Sequence, residues 1–219
     1  MRRAVRRILV AVTFSVTKRL GLKPSWRLLH VMADPWDNAR PAEQTRYRAT
    51  NELLTKAFGH INSILEIGSG EGYQTAHLVK VAHEVVGLEY AAIAVGRASS
   101  RVPGARFVLG SANDLSRLHG RTFDVVIAAE VLFYADNVPD ALAQMERHAT
   151  RGCVVSTIAK ESPKVMPHVL RRPGVETTTF TAEGCTWDVA WWVPAGAGAA
   201  AARGAGLDAA AGKGEQASL

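Results

Sequence analysis

Three glycines fall within five residues at Gly68, Gly70 and Gly72, and carboxylates stand among them: Glu66 two places ahead and Glu71 inside the run. Glycine reaches positive φ and has no Cβ to hold a ligand away, so such a run lets backbone close on a bound molecule. A dinucleotide loop spaces its glycines as G-x-G-x-x-G and sets pyrophosphate on a helix N-terminus. Here the third glycine arrives one residue early, and Tyr73 holds the place that the pattern wants. Phosphates would also meet Glu66 and Glu71, an unfavourable pairing at a helix start. The loop suits a ligand with a cationic group and no phosphate.

S-adenosylmethionine answers that description, with a sulfonium and an ammonium. Further along, "VVGLEY" ends in Glu89 and Tyr90, seventeen residues past Gly72 for the glutamate. A carboxylate at the end of a second parallel strand can accept both hydroxyls of a ribose, a device that nicotinamide cofactors share. "VLGSANDL" places Ser111, Ala112 and Asn113 after a third strand, where a group can read an adenine amine or simply form a turn. Glu130 closes "FDVVIAAE". It orients an acceptor, acts as a base, or is an ordinary strand-end charge. Phe133 and Tyr134 follow, as walls of a site or as core. Ahead of all these lie Asp34, Trp36, Arg46 and Tyr47. Trp36 and Tyr47 offer ring faces to adenine, sulfonium or a sugar, or belong to a helix packed on a sheet.

The elements that must position these groups follow from periodicity. Short apolar runs at 64–67, 85–89, 106–109, 125–129 and 153–158 suit strands buried on both faces. Helical patterns cover 42–58, 73–82, 91–99 and 138–148. Alternation of this kind predicts a parallel sheet with right-handed crossovers. Two later runs, 177–181 and 186–193, are β-branched and aromatic around "EGC" and predict an antiparallel hairpin at the sheet edge. Trp187, Trp191 and Trp192 are read as hairpin packing, and His168 as a surface residue. The fold class is therefore α/β: a Rossmann-like, doubly wound, seven-stranded sheet, mostly parallel, with a C-terminal antiparallel hairpin.

The chain has 219 residues, 47% of them hydrophobic, enough for one domain with a sizeable core. It divides into a basic leader over 1–30, a folded domain over 31–194 and an Ala/Gly-rich tail over 195–219 that is expected to be disordered. The net charge is +6, yet the first 30 residues hold eight Lys/Arg and no Asp/Glu, which leaves the rest at −2. A nucleic-acid footprint belongs on the folded domain, so no nucleic-acid partner is expected there. The apolar stretch of the leader, 8–16, is too short to span a bilayer. Residues 1–22 are read as a basic amphipathic helix in weak contact with anionic membrane, as a helix packed on the domain, or as the product of a mis-assigned start. Two separated cysteines exclude a disulfide framework and a cysteine zinc site, and a reducing cytoplasm is expected. The sequence does not fix the oligomeric state.

Taken together, "LEIGSGEG", "VVGLEY" and "FDVVIAAEVLFYADN" resemble the first, second and fourth motifs of class I S-adenosylmethionine-dependent methyltransferases, over roughly 35–193. "DPWDNARPAEQTRYR" with "AAEVLFYADN" is most similar to the nodulation-factor N-methyltransferase group, which methylates an amino-sugar nitrogen. The resemblance implies S-adenosylmethionine as cofactor and a small-molecule acceptor, with nitrogen or oxygen as nucleophile. It implies that Glu66, Gly68, Ser69, Gly70 and Gly72 hold the methionyl part, that Glu89 and Tyr90 hold the ribose, and that Ser111, Ala112 or Asn113 reads adenine. Trp36, Arg46 and Tyr47 would lid the cofactor. Glu130 and Tyr134 would serve transfer, with Glu130, Asp34 or water taking the proton. Ser111 stands where the family often has Asp, Arg151-Gly152 replaces a double glycine, and no Asn-Pro-Pro-Tyr-type motif is present. No metal is implied. The competing classes are a non-catalytic cofactor binder or membrane-associated protein, and a nicotinamide-dependent reductase.

Overall fold

The computed structural model describes residue 30, residues 32–195 and residue 197. The leader and most of the tail lie outside the described residues. Helix α1 (Pro41–Phe58) leads into strand β1 (Ile61–Ile67), α2 (Thr75–Leu78), β2 (Ala82–Glu89), α3 (Ala92–Arg101) and β3 (Arg106–Leu109). Then come β4 (Phe123–Ala129), α4 (Val138–His148), β5 (Ala149–Ile158), α5 (Ser162–Val169), β6 (Glu176–Ala182) and β7 (Cys185–Trp192). The seven strands form one sheet in the order β3-β2-β1-β4-β5-β7-β6. The first five run parallel, and β7 pairs antiparallel with both β5 and β6. The doubly wound, mostly parallel sheet with a terminal antiparallel hairpin is thus as the sequence implies.

Strand alternation decides what each carboxylate faces. In β1, Leu65 and Ile67 join the cluster under α4 and α5, with Leu142, Met145 and Val165. Ile64 turns the other way and packs with Leu53, Leu54 and Phe58 of α1. Glu66 shares the face of Ile64 by the period of two, so it lies beneath α1. The winding reverses at β1, which has β2 on one side and β4 on the other. In open α/β sheets the crevice outside the carboxyl ends at such a reversal is where ligands bind.

Two helices depart from the sequence reading. The stretch from Tyr73 to Ala82 predicts one helix, but only Thr75–Leu78 is helical. Lys80 and Val81 donate to His77 and Leu78, three residues back, which tightens and ends the turn. Ala82 then pairs with Ile61, extending both strands three residues beyond the expected Ile64 and Val85. Helix α5 is absent from the expectation because Pro163 and Pro167 break the pattern. One proline sits in the first turn, where it is tolerated, and the helix ends soon after the other. Trp187 and Trp192 are fully buried in the hairpin's packing.

Candidate functional site

A cavity of roughly 370 Å³ opens at the carboxyl ends of β1, β2 and β4. Four strands with their loops, and the N-terminal segment, contribute residues picked from the sequence. Glu66, Gly68, Ser69 and Gly70 come from β1 and its loop; Glu89 and Tyr90 close β2. Ser111, Ala112 and Asn113 follow β3, Glu130 and Tyr134 follow β4, and Trp36, Arg46 and Tyr47 arrive from the N-terminal segment. Gly72 does not line the cavity. Its φ is +79°, and a Cβ there would stand 3.2 Å from Ala98 Cα, so its role is the close packing of the loop on α3. Gly70, with φ +54°, has open space where a Cβ would point.

Glu66 is 3% exposed and accepts a hydrogen bond from the Thr75 hydroxyl. Burial pushes its pKa up to about 7, against the opposing pull of Thr75 and Arg46. Arg46, also 3% exposed, reaches over it from α1. Its Nε donates to Glu43 Oε2 at 2.7 Å, its Nη1 donates to Gln74 Oε1 at 2.8 Å, and its guanidinium lies 4.7 Å from the Tyr47 ring centre. Glu89 accepts from the Gly70 N–H at Oε2 and from the Ala91 N–H at Oε1, both at 2.9 Å. Each of its oxygens thereby keeps one acceptor position for a ligand.

Glu130 sits at φ +59°, a strained conformation for a residue with a Cβ. The kink returns its carboxylate toward β5, where Ser156 Oγ donates at 3.2 Å and the Ile158 N–H at 3.1 Å. Burial raises its pKa to about 7 in spite of Arg46. Burial likewise raises the Tyr134 phenol, which hydrogen-bonds the Trp36 side chain across the cavity. Trp36 also stacks on His30, with ring centres 5.6 Å apart.

Besides Gly72, three assignments drawn from the sequence change in the folded chain. Glu71 does not confront the ligand as a bare carboxylate. It pairs with Arg97 at 2.8 Å and Arg101 at 3.9 Å and accepts the Asp34 N–H at 2.8 Å. The repulsion of phosphate therefore rests on Glu66 and Glu89. Asp34 lies off the cavity lining, and its carboxylate accepts the N–H groups of Asn38 and Ala39. It is a turn cap rather than a base. Asn113 lines the cavity, but its amide bridges Asn137 O at 2.7 Å, Asp140 Oδ2 at 3.0 Å and the Asp136 N–H at 3.1 Å. It ties the loop after β3 to the start of α4.

Gln74, Tyr73 and His30 also line the cavity, and the sequence motifs do not single them out as site residues. Reading 73–82 as an amphipathic helix directs attention to its apolar face and past Gln74. Among the described residues there is no cluster of three His, Cys, Asp or Glu side chains able to hold a metal, and no helix long and apolar enough to cross a membrane.

Comparison with known proteins bears on the fold that carries this site. Residues 65–156 match a methyltransferase domain family. A curated relative is a protein-L-isoaspartate O-methyltransferase of Nitrobacter winogradskyi, 29% identical over 119 residues, 52% of this chain and 52% of that protein. The match thus spans about half of that relative's length. Among solved structures, the N-methyltransferase NodS of Bradyrhizobium japonicum in complex with S-adenosyl-L-homocysteine superposes with a TM-score of 0.62 at 18% identity, over 82% of this chain and 96% of that one. An amino pentose methyltransferase of Micromonospora echinaspora involved in calicheamicin biosynthesis gives 0.51 at 17% identity, over 67% and 89%. At these identities the likeness is one of fold.

Proposed function

We propose that the chain is a class I S-adenosylmethionine-dependent methyltransferase, a reading supported by the methyltransferase domain match over residues 65–156 and by the fold it shares with such an enzyme, and that it transfers a methyl group to a nitrogen or oxygen nucleophile of a small molecule, with an amino sugar or glycan precursor as the acceptor class. The observation that carries this reading is the set of three carboxylates, Glu66, Glu89 and Glu130, on neighbouring strand ends β1, β2 and β4, around one cavity. Such a cavity favours a cationic ligand and disfavours phosphates. NodS and the amino pentose enzyme, both named for methylation, support the acceptor class; the isoaspartate relative keeps an oxygen nucleophile in view.

In this reading the loop Gly68–Gly70 and Glu66 hold the methionyl end. Glu89 accepts the two ribose hydroxyls on its remaining lone pairs, and Tyr90 flanks them. Ser111 or the Ala112 N–H reads adenine, since the Asn113 amide is engaged elsewhere. The cofactor supplies a methyl group already activated on a sulfonium, so the protein's work is alignment and exclusion of water. Trp36 and Tyr134 close the cavity mouth, with Arg46 and Tyr47 above the loop. Glu130 orients the acceptor and takes the proton of an amine, for which its raised pKa suits it near neutral pH. In the same reading the folded body of the chain acts on a small molecule in the cytoplasm, without nucleic acid.

The test is methyl transfer from labelled S-adenosylmethionine to a panel of free amino sugars, their N-acetyl derivatives and the corresponding neutral sugars. Transfer to the free amines supports the acceptor class. Transfer only to hydroxyl-bearing or carboxyl-bearing compounds overturns it.

A further inference from the structure

Strand β6 closes one end of the sheet, and among the described residues only β7 pairs with it. The turn Glu183-Gly184, both residues at positive φ, closes the hairpin on the pair Ala182 and Cys185. Hydrogen-bonded pairs alternate along an antiparallel ladder, so Phe180, Thr178 and Glu176 also bond to β7. The N–H and C=O groups of Thr177, Thr179 and Thr181 then point outward, toward a further strand. Such edges are commonly blunted by lysine, proline or a bulge. β6 has none of these: it runs seven residues, Glu-Thr-Thr-Thr-Phe-Thr-Ala, in unbroken register, and those three threonines are exposed. Apolar surface gathers where the strand begins. Leu170, just past α5, is 54% exposed, and Val193, just past β7, is 62% exposed. Trp191 pairs with Glu176, which sets Val193 beside the residues that enter β6.

The strand is complementary to itself. Antiparallel pairing of two copies about a two-fold axis at Thr179 sets Thr179 against Thr179 and Thr177 against Thr181, so every outward group meets an outward group. Between them Thr178 faces Phe180, and Glu176 faces Ala182. Thr–Thr and aromatic–β-branched pairs stabilise a ladder, and no like charges stand opposite each other. Past the strand, the exposed Glu183 of one copy comes to the loop entering β6 of the other, where Arg171 is exposed. The symmetry makes that opposite-charge approach twice. β6 runs in the direction of β5, since both are antiparallel to β7. The two copies therefore point opposite ways, and their cavities open at opposite edges of the joined sheet, both clear.

We propose that the outer side of β6 is a homodimer interface, at which a second copy of this chain adds its own β6 in antiparallel register about Thr179. Sedimentation velocity of the full chain across roughly the micromolar range should show reversible passage from monomer to dimer. Thr179→Pro removes an outward N–H at the centre of the edge and no hydrogen bond to β7. It is expected to weaken the dimer by roughly a hundredfold or more, with an unfolding temperature near the parent's. Arg171→Glu should weaken it by roughly three- to tenfold, and Arg171→Glu combined with Glu183→Arg should restore it. That rescue reports the register, since a folding defect would not be repaired by a second charge change. Hydrogen exchange of the Thr177, Thr179 and Thr181 amides should slow as concentration rises. The proposal is overturned by a chain that stays monomeric, by a Thr179→Pro variant that dimerises like the parent, or by a charge swap without rescue. Equal protection of those amides in dilute monomer also overturns it, because another segment of the same chain then covers the edge.

Discussion

The Gly70 N–H donates to the Glu89 carboxylate at 2.9 Å, joining the glycine loop to the end of the neighbouring strand. Glu89 also accepts the Ala91 N–H, so one side chain fixes the loop, the start of α3 and the ribose position proposed above. Glu89→Ala should therefore act on both ligand and loop. S-adenosylhomocysteine affinity should fall by roughly ten- to a thousandfold, and stability by about 1–3 kcal/mol, from the loss of charge-assisted bonds. Calorimetry and thermal unfolding measure the two effects. An affinity within twofold of the parent would move the ribose site away from β2.

The glycines separate ligand binding from packing. Gly70→Ala places a methyl in open space at φ +54°, and its cost to folding is about 1 kcal/mol of backbone strain. Because that methyl stands where the loop meets the cavity, S-adenosylhomocysteine affinity should drop by roughly tenfold or more. Gly72→Ala presses on Ala98 Cα at 3.2 Å and should cost about 1–3 kcal/mol in stability. Its ligand affinity at a temperature where the variant is folded should match the parent. The reverse pattern, with affinity lost at Gly72 and kept at Gly70, would contradict the placement of the loop.

These contrasts mark how far the sequence could be read. Buried parallel strands are continuous apolar runs, so their carboxyl ends are sharp in the sequence, and Glu66, Glu89 and Glu130 stand out as charges at those ends. The late hairpin follows from the same kind of run, whereas the order of the strands in the sheet is set by long-range pairing. Long-range pairing is not written locally. Glu71 finds Arg97 and Arg101 on α3, and Asn113 finds Asp140 on α4, only once the chain has folded. The Gln74 amide finds Arg46, 28 residues earlier on α1. No spacing rule connects the two.

Glu66 and Glu130 give the fold a defined pH dependence. Burial raises both from 4.5 to about 7, so between those values the folded state holds protons that the unfolded chain has released. Their contribution is fully present below about pH 4.5 and is lost as pH rises through about 7. Each group changes stability by up to about 1.4 kcal/mol per pH unit in that window. Denaturant unfolding at several pH values should show a shallower decline for Glu66→Gln than for the parent. A parent whose stability climbs from pH 5 to 7.5 with no difference in the variant would contradict the assignment.

Glu130 can be tested apart from cofactor binding. Glu130→Gln should keep S-adenosylhomocysteine affinity within about threefold and lower single-turnover transfer to an amine by roughly a hundredfold or more. In the parent the transfer rate should rise with pH through about 7, as the carboxylate becomes able to accept a proton. In the variant that limb should be absent. An unchanged pH profile would assign proton removal to water or another group.

The most direct test of the whole account is a paired calorimetric titration of the purified chain with S-adenosylhomocysteine and with NADH. The cavity of three strand-end carboxylates predicts one-to-one binding of S-adenosylhomocysteine in roughly the micromolar range and no measurable heat of binding for NADH. Binding of NADH without S-adenosylhomocysteine would contradict the methyltransferase reading and reassign the site to a nicotinamide cofactor.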